Sequence, residues 1–280
     1  MSVEAGGVPP DVRVLATPDE VAATAAAEIA RGLTAAVRER GVAHWATTGG
    51  SSAPGIYRAL RVPPLLDAVP WEQVHVWWGD DRFVPSDHPL SNVLPLEQIL
   101  LESGGDETGS GATSADVRAA GAGVRLPAAN LHPVPVAAAI ARGAGAAWAA
   151  EQYAAAARGF LPMAGDPATP VFDVVVIGMG PDGHLLSVFP GSSVWDAQAT
   201  CVAVPAPTHV EPHVERVTFH PRILGAARRV LLVTTGAGKA DVLARAWSGD
   251  DVRELPVRAA RTGNATWLLD EAAAAHLPRA

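Results

Sequence analysis

An aspartate and a histidine two residues apart, Asp182 and His184, stand in the turn GMGPDGH that follows the apolar run VFDVVVIG. Histidine is the side chain best matched to taking a proton from water near neutral pH, and a neighbouring carboxylate can hold its ring in one orientation. A structural turn with a solvent-facing histidine is the other reading of the segment. The same turn contains GxGxxG at Gly178, Gly180 and Gly183. A dinucleotide fold needs a full helix after the third glycine and an acidic residue about 20 positions on. Here only HLLSVF precedes Pro190 and Gly191, and Asp182 would face a pyrophosphate, so the dinucleotide reading fails.

Three further turns carry polar groups that suit an anionic ligand. In TTGGSSAP, Thr48, Gly49, Gly50 and Ser51 offer hydroxyls and backbone N–H groups just before a predicted helix start, the makings of a phosphate cradle. A plain βα turn would look the same. In WWGDDRFVPSDHPLSN a strand ends on Asp80, Asp81 and Arg82, either a surface ion pair or an anion clamp held in aim by carboxylates, while His88 reads as a turn residue. In TTGAGKADVL, Lys239 stands at a helix start and is the one lysine among 21 basic residues. No Walker loop is formed at either glycine turn, and GxSxG is absent, so neither ATP binding nor a serine-hydrolase elbow is supported.

The elements that would position these groups alternate along the chain. Apolar runs at 43–47, 74–78, 171–178, 229–235 and 265–269 read as buried strands, and 53–60, 92–102, 137–158 and 237–247 as helices. TPDE at 17–20 resembles a capping box ahead of the stripe Val21, Ala25, Ile29, Leu33 and Val37, with Gly41 as the stop. This order predicts one α/β domain over 1–280 with a doubly wound, mostly parallel sheet and helices on both faces. Residues 103–130, rich in Gly, Ala and Ser, are expected to form a flexible surface loop. In open sheets of this kind, ligands bind at the carboxyl ends of the strands, where all four turns would meet.

With 49% apolar residues the chain can bury a large core, and a net charge of −8 argues against nucleic-acid or anionic-membrane surfaces. No stretch reaches the roughly 20 apolar residues of a membrane span, and nothing at the start reads as an export signal. The single Cys201 agrees with a reducing, cytoplasmic setting. No His or Cys spacing predicts a metal site.

Taken together, TTGGSSAP, WWGDDRFVPSDHPLSN, GMGPDGHLLSVFPGS and TGAGKADVL resemble, in order, the motif series of the 6-phosphogluconolactonase family. That family shows a GGST turn, a GDER strand end and GMGxDGHxASLFP; here Ser52 replaces Thr, Asp81 replaces Glu, and the third motif ends LLSVFP. Arg216 matches a family arginine, but PAPTHVEPHVERVTF holds no counterpart of the lysine that often precedes it. The resemblance implies a Rossmann-like fold of the sugar-phosphate isomerase/lactonase type. It implies hydrolysis of 6-phospho-D-glucono-1,5-lactone, the second step of the oxidative pentose phosphate pathway, without metal or organic cofactor, by a monomer or weak homodimer. His184 would be the base with Asp182 orienting it. Thr48, Gly49, Gly50, Ser51, Asp80, Arg82, Gly180, Gly183, Arg216 and Lys239 would bind substrate. A deaminase resembling the glucosamine-6-phosphate type, or a sugar-phosphate-binding module without catalysis, are the alternatives; SVFPG after the histidine favours the lactonase over the deaminase.

Overall fold

A computed structural model describes residues 10–101 and 123–278. Seven strands form one parallel sheet: β1 (Asp11–Leu15), β2 (Ala43–Thr47), β3 (Val74–Trp78), β5 (Leu131–His132), β8 (Val174–Ile177), β11 (Val230–Thr234) and β12 (Ala265–Asp270), in the order β1-β12-β11-β8-β2-β3-β5. A small antiparallel sheet joins β4 (Asp80–Arg82), β10 (Arg216–Phe219) and β9 (Cys201–Val204), and β6 (Met163–Ala164) pairs with β7 (Thr169–Pro170).

The central strands read as unbroken apolar runs because both faces of the sheet are covered. Successive residues go to opposite cores: Ala46, Trp77, Val175, Ile177, Leu232 and Trp267 to one, and Trp45, Val76, Trp78, Val174, Val233 and Leu268 to the other. On the second face lie α1 (Pro18–Arg40) and α2 (Ala53–Leu60), which bury Ile29, Leu33, Ile56 and Tyr57. The helix Ala146–Phe160 covers the first face beside Phe172 and Phe219.

The helix start of α1 forms as its sequence predicts. Thr17 Oγ1 accepts from Glu20 N at 3.2 Å, while the Glu20 carboxylate reaches one residue further back, to Ala16 N at 2.9 Å. Gly41 ends the helix at φ 78°, a left-handed conformation open to glycine.

Three expectations need revision. The helix predicted over 137–158 is broken into Val136–Ala141 and Ala146–Phe160, with Gly143 at φ 68° between them. The one predicted over 92–102 is a short α turn, Leu94–Leu96, running into a wider π turn, Glu97–Leu101. Of the expected loop 103–130, residues up to 122 lie outside the described residues. The rest is built into the fold: Val124 is buried, its N–H bonds Leu100 O at 3.1 Å, and Ala128–Asn130 is a 3-10 turn that feeds β5.

Candidate active site

The four glycine turns predicted from sequence meet in one cleft at the carboxyl ends of β2, β3, β8 and β11, closed on one side by β4 and β10. Thr48, Gly49, Gly50, Ser51, Asp80, Arg82, Gly180, His184, Arg216 and Lys239 all line it. The strands deliver them because each apolar run ends in a residue that can turn sharply.

The turn after β8 is fixed by its own backbone. Gly180 N–H donates to His184 O at 2.8 Å, and Gly183 N–H donates to Gly180 O at 3.1 Å. The His184 ring then lies against the bare α-carbon of Gly180 and 4.7 Å from the Phe189 ring centroid. Its Nδ1 is 2.5 Å from Asp182 Oδ1, and its backbone N–H bonds the same oxygen at 3.2 Å. Burial pushes the Asp182 carboxyl up. The hydrogen bonds and charge of His184, with a bond from His209, outweigh it and hold the group well below the usual carboxylate range. An ionised carboxylate only accepts, so Nδ1 carries a proton, and in the neutral ring Nε2 is the nitrogen with the free lone pair. Asp182 stands behind the histidine rather than on the cleft wall. Gly183, expected among the substrate-binding residues, does not line the cleft. At φ 84° it packs against Leu255 and accepts from Val257 N at 2.9 Å, so it is needed for the turn.

Two arginines face each other across the small sheet. Arg216 and Arg82 are register partners on β10 and β4, where like charges repel. Arg82 Nη1 donates to Leu90 O at 2.6 Å, and Arg216 Nη2 to Pro212 O at 3.0 Å, yet the buried Nε of each has no partner among the described residues. Arg216 is 2% exposed and sits 5.3 Å over the Phe189 ring. Burial lowers its pKa, as does Arg82, against the opposing charge of Asp80. Burial also lowers Lys239, opposed by the charge of Asp182. Unpaired donors on crowded cations are groups that an anion could satisfy.

The cradle at Gly49–Ser51 depends on a residue at the start of the expected helix 92–102. Asn92 packs against the α-carbon of Gly49, leaving no room for a Cβ, and its Nδ2 donates to Asp80 O at 2.9 Å. Asp81 holds this loop from inside: its Oδ1 accepts from Arg82 N and Asn92 N at 2.8 and 2.7 Å, and its Oδ2 from Ser91 Oγ at 3.1 Å. Burial raises Asp81 to about 7, against those hydrogen bonds. Asp80 accepts from Ser187 Oγ at 2.5 Å. His88 is an exposed turn residue whose Nδ1 accepts from Leu90 N at 3.1 Å.

The cleft has further walls that motif reading missed: Asn92, Val210, Glu211, Thr234 and Thr235. Thr234 and Thr235 end β11 as Thr47 and Thr48 end β2, a parallel visible in TTGAGK and TTGGSS. Glu211 and Val210 come from the 205–215 stretch that lacks the family lysine. Among the described residues, no three His, Cys, Asp or Glu side chains gather as a metal ion would require.

Comparison with known proteins agrees with this arrangement. Residues 16–268 match the family described as glucosamine-6-phosphate isomerases/6-phosphogluconolactonase. The 6-phosphogluconolactonase of Streptomyces coelicolor is 34% identical over 265 residues, covering 92% of this chain and 91% of that one. That of Mycobacterium tuberculosis is 32% identical over 270 residues, covering 95% and 98%. The solved 6-phosphogluconolactonase of Trypanosoma brucei superposes with a TM-score of 0.75 at 27% identity, over 96% of this chain and 99% of that one. With its motifs, its sheet order and its relatives in agreement over almost the whole length, the chain belongs to the glucosamine-6-phosphate isomerase/6-phosphogluconolactonase family.

Proposed function

We propose that this protein is a 6-phosphogluconolactonase that hydrolyses 6-phospho-D-glucono-1,5-lactone to 6-phospho-D-gluconate, in the oxidative pentose phosphate pathway. The observation that carries the reading is the single cleft in which an Asp-oriented histidine faces two arginines with unpaired donors and a lysine. The names of the relatives support the same substrate.

His184 Nε2 takes a proton from water as the oxygen attacks the lactone carbonyl carbon. The carbonyl π bond opens, and negative charge forms on its oxygen. Arg82, Arg216 and Lys239, with the N–H groups of the Gly49–Ser51 turn, take up that charge and the phosphate dianion between them. Collapse of the tetrahedral intermediate breaks the bond from the carbonyl carbon to the ring oxygen. The ring oxygen leaves as a hydroxyl, taking the proton back from His184, and the product acid ionises. Asp182 keeps Nδ1 protonated throughout, which leaves Nε2 as the shuttle. Asp80, fixed by Ser187, accepts from sugar hydroxyls.

No helix among the described residues is long and apolar enough to cross a membrane. The buried, unpaired Cys201 supports a cytoplasmic setting. The deciding experiment offers freshly made phosphogluconolactone and follows acid release by pH-stat. A rate well above spontaneous opening, retained after dialysis against EDTA, supports the reading; no excess over the spontaneous rate overturns it.

A further inference from the structure

The Asp182 carboxylate has a second histidine on it. Oδ1 accepts from His184 Nδ1 at 2.5 Å, and Oδ2 accepts from His209 Nε2 at 3.0 Å. We propose that His209 is a positioning residue for His184, acting through Asp182, and that it ties the 205–215 segment over the cleft to the proton shuttle. The proposal rests on the reading of His184 as the base.

A carboxylate bonded through one oxygen keeps freedom to rock about its Cβ–Cγ bond, and the imidazole it orients rocks with it. With both oxygens engaged, that freedom is removed. Half of the His209 side chain is open to solvent, 52% by area, yet its ring is held: it meets Phe189 edge-on at 5.6 Å, and the same phenyl ring lies 4.7 Å from His184. One aromatic ring thus packs on both imidazoles while one carboxylate bonds both. The next two residues after His209, Val210 and Glu211, line the cleft. The segment is braced further on, where His213 Nδ1 donates to Pro207 O at 2.6 Å and Nε2 pairs with Glu211 at 3.1 Å. The bond from His209 to Asp182 therefore joins the seating of this wall to the aim of the base.

The charges around the relay set the sign of the effect. His209 faces Asp182; Lys239 and Arg216 also act on that carboxylate, and Glu211 and His213 on the segment itself are paired with each other. A donor on Oδ2 draws charge away from Oδ1. Without it, more of the carboxylate charge falls on His184, which then holds its proton to higher pH.

His209→Ala is expected to lower kcat about tenfold, the scale of a lost orienting contact, with a smaller change in KM. The acid limb of its kcat/KM profile moves to higher pH. Proton NMR titration of the free protein shows the His184 midpoint moving in the same direction. His209→Gln, which keeps an N–H at similar reach, returns kcat to within about threefold of wild type. Wild-type kcat together with an unmoved His184 midpoint in His209→Ala overturns the proposal, as does a Gln variant no better than Ala. Should the unaltered protein fail to hydrolyse the lactone, the lactonase reading falls, while the NMR midpoint still decides whether His209 acts on His184.

Discussion

The His184 ring lies directly on the α-carbon of Gly180, in the space a side chain at 180 would fill. Gly180→Ala must therefore move the imidazole, or Asp182 behind it, without touching the core. The expected result is a kcat loss on the order of 100-fold, the cost of a misplaced catalytic group, with an unchanged melting temperature within about 2 °C. Steady-state kinetics beside a thermal melt checks it; full activity would show that the ring has room elsewhere.

Removing the shuttle itself should be costlier. His184→Ala is expected to reduce turnover by about 100- to 10,000-fold while 6-phosphogluconate still binds, because the cations and the Gly49–Ser51 turn remain. Wild-type turnover in this variant would take the general base away from His184.

Neutralising the anion-binding groups should act on affinity. For Arg82→Ala and Lys239→Ala, the loss expected is roughly 1.5–3 kcal/mol in binding 6-phosphogluconate, the range for hydrogen bonds to charged groups. Exposed surface cations rarely exceed about 1 kcal/mol. Calorimetric titration separates the two cases. Unchanged affinity in both variants would return these residues to the solvated surface.

A second histidine group, far from the cleft in register, sets the response to acid. His44 near the start of β2 and His132 at the end of β5 flank His75 of β3, whose Nδ1 is 2.8 Å from His132 Nε2. Burial, with the neighbouring imidazoles, lowers both His44 and His132 from 6.5 to about 4. Burial also takes His220 to about 4, with Arg222 adding to it. These folded values lie below the unfolded one, so the unfolded chain binds more protons between them. The contribution of these histidines is full above about pH 6.5 and is lost as the pH drops toward 4, while Asp81, raised to about 7, acts with the opposite sign over that range. His44 accepts from Trp77 Nε1 at 3.3 Å, a bond asparagine can keep through Oδ1. His44→Asn should cut the loss between pH 7 and 4.5 by on the order of 1–3 kcal/mol. Urea midpoints at the two pH values test it, and an undiminished loss in the variant would exclude His44.

How much of this was legible depended on what decides each element. Strands 43–47 and 74–78 are found residue for residue, because both faces are apolar and the run itself specifies burial. Strand β10, RVTF, gave no such signal: two of its four residues are Arg216 and Thr218, buried only because the cleft and β4 surround them. The helix over 137–158 hid its break since alanine dominates both halves, leaving Gly143 to choose the turn. In the site, the groups at strand ends were visible as glycine turns. Asn92 and His209 were not, as each arrives from a loop whose position tertiary contacts fix: Asp81 for the first, Asp182 for the second.

The cross-strand pairing of Arg82 with Arg216 has a consequence for the stability of the free protein. Two guanidinium groups opposite each other, each with a buried Nε left unbonded, oppose the fold they sit in. Methionine or leucine in place of Arg216 would fill the same volume over Phe189 without that opposition. On the proposed function, an anion seated between the two guanidinium groups would relieve their repulsion, so 6-phosphogluconate should raise the melting temperature of the protein.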